Sequence, residues 1–145
     1  MTLELLIRYV HFIGIFSLSG MLISQNLLVA KQVNNGTLRK LIIADGIYGF
    51  SALIILVAGL SLWFWVGKPS SFYSGNPIFH AKLSIFVVVG LLSVIPTTFF
   101  IGNRKNNAAL IDIPGYVILV KRLELCLLLL IPLFAVLMVR GIGLN

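Results

Sequence analysis

Four apolar runs divide the chain, at about residues 5–30, 41–66, 77–101 and 117–140, with short polar segments between them. Each is close to the roughly 20 residues that an α-helix needs to cross the hydrocarbon core of a bilayer. The pattern predicts an all-α fold: an integral membrane, antiparallel four-helix bundle forming one domain over residues 1–145. Within the first run, Glu4, Arg8, His11, Ser19, Leu22, Gln25 and Asn26 fall on one broad helical stripe,. Polar groups gathered on one face of a membrane helix are expected to point into the bundle. Gly14, about one turn beyond His11, leaves room for a neighbour or a flat ligand, and Gly20 allows close helix contact deeper in,. In the second run Asp45, Gly49, Ala52, Leu56 and Gly59 share a face, which predicts close packing on a partner helix,.

The punctuation between runs agrees with this division. Lys31 to Thr37 reads as a turn, with Thr37 as helix N-cap,. Trp63, Phe64 and Trp65 read as an interfacial aromatic belt. The segment from Gly67 to Asn76 reads as a compact surface connection. Asn76 suits an N-cap and Pro77 a first helical turn, where its missing N–H costs nothing. Pro96 predicts a kink, with the hydroxyls of Thr97 and Thr98 satisfying freed carbonyls. Pro114 marks the first turn of the last helix, which stays polar through Lys121 and Arg122 and contains Pro132.

Composition supports the membrane class. The chain is 145 residues long, 59% hydrophobic and 10% charged, with a mean hydropathy of +1.08. A soluble domain of this size has too little interior for so much apolar surface. The formal net charge is +7, but no basic block with interleaved aromatics suggests a nucleic-acid partner. The partner implied is the lipid bilayer, whose anionic headgroups accommodate cations between spans. The N-terminus lacks a basic stretch and a small-residue cleavage site, so the first run is expected to be retained as a span. Cys126 is the single cysteine, which excludes an intramolecular disulfide and a CxxC site.

Orientation follows from the cations. Lys31, Arg39, Lys40, Arg104, Lys105, Lys121 and Arg122 gather on one side, and Arg8, Lys68, Lys82 and Arg140 on the other. The positive-inside rule then predicts a multi-pass protein of the bacterial cytoplasmic (inner) membrane with both termini outside the cytoplasm. His11, His80, Arg8, Lys68 and Lys82 fall in the outer leaflet, and Asp45 and Glu124 in the inner one.

Two histidines carry the candidate chemistry. His11 lies about two turns inside the first run, and His80 one turn into the third, at similar depth from the same side,. Imidazoles from two helices of a bundle are a recurring way to hold a b-type haem. Arg8, Lys68 and Lys82 are suited to its propionates. Lys82 is about 200° around the helix from His80, so these two side chains do not point at one spot. Three readings of the histidines stand: hydrogen-bonded core residues, haem or porphyrin contacts, or ligands of another metal. Local readings also stand for the acids. Glu4 and Arg8 form an i,i+4 pair. Asp45 favours the helix dipole or a loop lysine. Glu124 is a partner of Lys121 or Arg122, or a proton-handling carboxylate. No nucleophile–base pair, P-loop or Gly-rich dinucleotide turn is present, which removes hydrolase and NTPase readings.

Arg-Tyr-Val-His (8–11), Asp45 with Tyr48-Gly49, Gly67-Lys68, Asn76-Pro77-x-Phe79-His80-x-Lys82 and Arg140-Gly141-Ile142-Gly143 resemble a bacterial four-span membrane family of unknown function, over nearly the whole chain. More distantly, Phe79-His80-Ala81-Lys82-Leu83 resembles the His-x-Lys-Leu start of a span in HemJ-type protoporphyrinogen oxidases, which also carry a first-span histidine similar to His11. Arg122-Leu123-Glu124 matches that family's Arg-x-x-Asn-Glu only in part. The tryptophan and the Leu-Pro-Arg end of that family's first span are absent here. This resemblance implies a haem b, a tetrapyrrole substrate and electrons passed to quinone. The leading expectation is a haem- or porphyrin-binding membrane redox protein, an oxidoreductase if it is an enzyme. The alternative is a non-catalytic component: a small-solute or metal-ion permease subunit, or an assembly partner. The small-residue faces predict a homo-oligomer.

Overall fold

The computed structural model describes residues 2–62, 64 and 77–139. Four helices account for most of them: α1 (Leu3–Leu28), α2 (Asn35–Ser61), α3 (Pro77–Gly102) and α4 (Gly115–Val139). Two short strands, β1 (Gln32–Asn34) and β2 (Leu110–Asp112), occupy the connections α1–α2 and α3–α4. Lys68, Trp63, Trp65, Asn76 and Arg140 lie outside the described residues, and with them the expected N-cap and most of the aromatic belt. Phe64 is exposed.

Gln25 near the end of α1, Asp45 in the first half of α2, Thr97 near the end of α3 and Lys121 in the first half of α4 all meet. The helices therefore alternate in direction, as an antiparallel bundle requires. α1 packs chiefly on α2, and α3 on α4. The two hairpins join more sparsely, α1 against α4 and α2 against α3. α1 and α3 lie on a diagonal, and among the described residues no Cα of one comes within 8 Å of the other.

Large apolar side chains cover the outside of the bundle, among them Phe12, Phe16, Phe50, Leu53, Leu91 and Leu129. A surface of this kind suits lipid and not water. Among the described residues, three helical segments are long and apolar enough to cross a membrane, Leu3–Leu28, Asn35–Ser61 and His80–Gly102. α4 is equally long but carries Lys121, Arg122 and Glu124 in its first turns. It earns its place in the bundle by burying two of them, Lys121 and Glu124.

The small sheet is a feature that a reading of the connections as turns leaves out. Gln32, Val33 and Asn34 pair antiparallel with Asp112, Ile111 and Leu110. Both strands alternate exposed, buried, exposed, the period of two that a half-buried strand needs. Gln32 Nε2 donates to Asp112 Oδ1 across the pair at 2.8 Å. The Ile113 N–H extends the ladder to the Lys31 carbonyl at 2.8 Å. Beneath the sheet Val33, Ile111, Ile113, Val117, Leu41 and Phe100 form one buried cluster. Near the aqueous end of the bundle, burying each of these side chains contributes about 1.5–3 kcal/mol. The α2 N-cap is Asn34, whose Oδ1 accepts from Thr37 N–H at 2.7 Å. This corrects the expectation of Thr37, because the strand pairing carries the chain to Asn34 in extended geometry and the helix starts there.

Two further expectations change. Gly49 is exposed with open space where a Cβ would stand, and Leu56 is exposed too, so the predicted small-residue face packs only in part, through Asp45, Ala52 and Gly59. The buried face of α2 runs through Leu41, Asp45, Tyr48, Ser51 and Ala58. Near Pro96, Thr98 Oγ1 bonds the Val94 carbonyl at 2.6 Å, not the Leu92 carbonyl that the proline leaves without its N–H partner, and Thr97 turns inward to another helix.

Candidate functional site

Six polar side chains from all four helices converge inside the bundle, nearer the sheet end than the other. On α2, Asp45 and Tyr48 are one turn apart and both buried. On α4, Lys121 and Glu124 stand three residues apart, and each is 0% exposed. α1 contributes Gln25, also 0% exposed, and α3 contributes Thr97.

The bonds among them almost all cross between helices. Gln25 Nε2 donates to Asp45 Oδ1 at 3.2 Å and is 3.3 Å from the Leu41 carbonyl. Thr97 Oγ1 donates to Asp45 Oδ2 at 2.7 Å. Lys121 Nζ donates to Gln25 Oε1 at 2.7 Å, and stands 3.5 Å from Glu124 Oε1 and 3.7 Å from Asp45 Oδ1. Tyr48 Oη donates to Glu124 Oε1 at 2.9 Å. The ammonium also lies 4.5 Å from the centre of the Tyr48 ring, a cation–π distance. Arg122 completes the α1–α4 seam by donating to the Asn26 carbonyl and, at 3.0 Å, to Asn26 Oδ1.

The charges do not balance. Two carboxylates share one ammonium, and the two carboxylates are unequally served. Asp45 accepts from Gln25 and Thr97 and faces Lys121. Glu124 receives its contacts on Oε1 alone, and its buried Oε2 has no hydrogen-bond partner among the described residues. A bare carboxylate oxygen in an apolar bundle is costly when charged.

The readings of Asp45 as a dipole or loop-lysine residue, and of Lys121 as part of a polar entry turn, are therefore corrected: the two side chains meet inside the bundle. Glu124 does stand near Lys121, as the local reading held, and is bonded to Tyr48 as well. The pairing of Gln25 with Lys121 is not legible along the chain, because the two residues are 96 positions apart.

The histidines belong to a different region. His11 is half-buried on α1, with its ring against Gly59 of α2: a Cβ there would stand 3.4 Å from His11 Cε1. His11 Nδ1 is buried with no hydrogen-bond partner among the described residues. Among the described residues, the Ile55 backbone, Lys82 and Arg8, the last bound to Glu4 at 3.0 Å, are the polar groups whose influence reaches the ring. His80 lies on α3, exposed, and Ser84 Oγ bonds its main-chain carbonyl at 2.8 Å. His11 stands 14 positions before Gln25 on α1, roughly 20 Å along the axis, so histidines and ion cluster are separate sites. Among the described residues no three potential metal ligands cluster.

A family model described as "Predicted membrane protein (DUF2214)" matches residues 3–143. The chain belongs to this family. The match agrees with the resemblance to a membrane family of unknown function and lends nothing to the more distant one, to HemJ-type oxidases. No curated protein and no solved structure matches the DUF2214 chain. Its membrane character is thus a property of the family, and its chemistry rests on the side chains described above.

Proposed function

We propose that this protein exchanges a proton inside the membrane at Glu124 and acts as a small permease-like component, with the Asp45–Lys121 pair as a fixed partner. The observation that carries the reading is the charge count: two buried carboxylates, one ammonium, and Glu124 Oε2 left bare. One added proton makes the core neutral, and Oε2, buried but without a hydrogen-bond partner among the described residues, is the atom that would carry it. Loss of that proton leaves one net negative charge among apolar helices, which favours handing it on. Tyr48 orients the carboxyl through Oε1. The excess of Lys and Arg puts the sheet end on the cytoplasmic side, so the proton is exchanged from the inner half of the bundle.

The test is proton flux into liposomes holding the purified protein, driven by a potassium diffusion potential and read with an enclosed pH dye. Glu124→Gln should reduce flux to that of protein-free vesicles. Full flux in that variant overturns the proposal.

A second reading keeps a tetrapyrrole at the other end, and one observation favours it: the imidazole of His11 sits half-buried against Gly59 with no side-chain partner for Nδ1 among the described residues, only the Ile55 backbone beside the ring. The residues fit ligation by His11, with Arg8 placed for a propionate. Bound there, a haem would supply one-electron chemistry. His80 would join only from α3, across the diagonal of the bundle. In that reading the protein is a redox protein and Lys82 serves the carboxylates with Arg8.

A further inference from the structure

The sheet end of the bundle is strongly basic. Lys31, Arg39, Lys40, Arg104, Lys105 and Arg122 are all exposed there, against one exposed carboxylate, Asp112. Five of these cations stand on connections or in the first turns of α2. Arg122 stands deeper, seven residues after Gly115 at the start of α4, roughly 10 Å along the axis. Its guanidinium is anchored through Nη1 alone, which donates to the Asn26 carbonyl and, at 3.0 Å, to Asn26 Oδ1. Both acceptors are neutral. The chain has four carboxylates, and each has another partner: Glu4 meets Arg8, Asp45 and Glu124 meet Lys121, and Asp112 accepts from Gln32. The Nε and Nη2 hydrogens of Arg122 make no hydrogen bond among the described residues. Together they form the edge of a guanidinium that can hold two oxygens of one carboxylate or phosphate at once.

The same seam opens into a hollow. Just beyond Asn26, Ala30 and Lys31 border an open space of about 770 Å³ that Gln32, Asp112, Ile113 and Gly115 complete. The Ile113 N–H bonds the Lys31 carbonyl, so Lys31 continues the ladder of β1. The two-residue alternation then sets Lys31 on the face of buried Val33, toward the bundle, and Gln32 on the water side,. We infer that the α1–α4 seam seats the headgroup of one acidic phospholipid, its phosphate held by the Nε–Nη2 edge of Arg122 and by the Lys31 ammonium. Basic pockets between membrane helices recognise acidic headgroups through this chemistry. Arg122 is flanked on α4 by exposed Leu119 and Leu123. An acyl chain covers such leucines, so the phosphate that suits this place belongs to a lipid and not to a dissolved anion. A headgroup of net negative charge matches two cations, whereas a zwitterionic one would bring its own ammonium against Lys31. The seat is independent of proton exchange at Glu124. By joining the end of α1 to α4, a bound lipid also favours the folded bundle.

The test measures binding of short-chain phosphatidylglycerol to the purified protein in mild detergent by native mass spectrometry. Short-chain phosphatidylcholine and inorganic phosphate serve as comparison probes. Phosphatidylglycerol should give one tightly held adduct per chain, which neither comparison probe displaces at equal concentration. Arg122→Gln should weaken that binding by about tenfold or more, the worth of a hydrogen bond to a charged group. Arg122→Lys keeps the charge without the planar edge and should weaken it nearly as much. Lys31→Gln should weaken it less than Arg122→Gln. Lys40→Gln in α2 and Lys105→Gln beyond α3 remove exposed cations from the same end but not from the seam, and should leave binding unchanged. Equal weakening by all four glutamine variants, or equal binding of phosphatidylcholine, overturns the seat and leaves only a diffuse basic rim. Displacement of the lipid by inorganic phosphate overturns the lipid assignment in favour of a dissolved anion. If Arg122→Gln does not fold, because it also loses the bonds to Asn26, Lys31→Gln on an exposed side chain decides between seam and rim in the same way.

Discussion

Replacing Lys121 by methionine keeps the length of the side chain and removes the one ammonium that Asp45 and Glu124 share. The nitrogen lies 2.7 Å from Gln25 Oε1, 3.5 Å from Glu124 Oε1 and 3.7 Å from Asp45 Oδ1, with no exposure. Removing one member of a buried ion pair strands its partner and costs about 3–5 kcal/mol. At about 1.4 kcal/mol per tenfold, the unfolding equilibrium shifts by roughly a hundredfold to a few thousandfold. The double variants then tell which carboxylate is the charged one. Asp45 has Gln25 and Thr97 as donors and should hold the anion, while Glu124 stays neutral. Lys121→Met with Asp45→Asn should therefore recover most of the loss. Lys121→Met with Glu124→Gln should recover little, because Asp45 remains a lone buried anion. Unfolding in mixed micelles, with helicity followed by circular dichroism, measures all four proteins. The reasoning is refuted if the single variant lies within about 1 kcal/mol of wild type, or if the Glu124→Gln double recovers more than the Asp45→Asn double.

Gly14→Ala should destabilise the α1–α2 hairpin by about 1–3 kcal/mol, the usual cost of overpacking. The added Cβ would stand 3.0 Å from Ile55 Cγ1 and 3.2 Å from Ile54 Cγ2; the same micelle titration reads the loss, and an unchanged midpoint refutes it. For the tetrapyrrole reading, protein from haem-replete cells should show a Soret band that His11→Ala abolishes or turns high-spin, and colourless wild-type protein refutes it.

Much of the architecture is legible along the chain because the bilayer imposes it. Runs of about 20 apolar residues mark helices, since lipid offers no partner for a backbone that leaves its own hydrogen bonds unmade. The stripe on α1 that ends in Gln25 and Asn26 is likewise legible, for a helix cannot turn polar groups to lipid cheaply. The sheet is less so: three-residue strands carry one buried residue each, Val33 and Ile111, and their partners are fixed only when two loops meet. The ion cluster is legible in its members but not in its pairing. Asp45, Tyr48 and Glu124 stand out as polar groups within or beside apolar runs, whereas Lys121 reads as one more cation at a helix entrance. Its charge faces inward because Asp45 and Gln25 arrive from helices distant in sequence, and only their packing supplies the two oxygens that make burial of an ammonium tolerable. Sequence by itself determined where the chain crosses apolar surroundings and which residues are too polar to rest there. Tertiary structure decided which of those residues share charge, because a Coulomb interaction depends on distance through space and sequence records only separation along the chain.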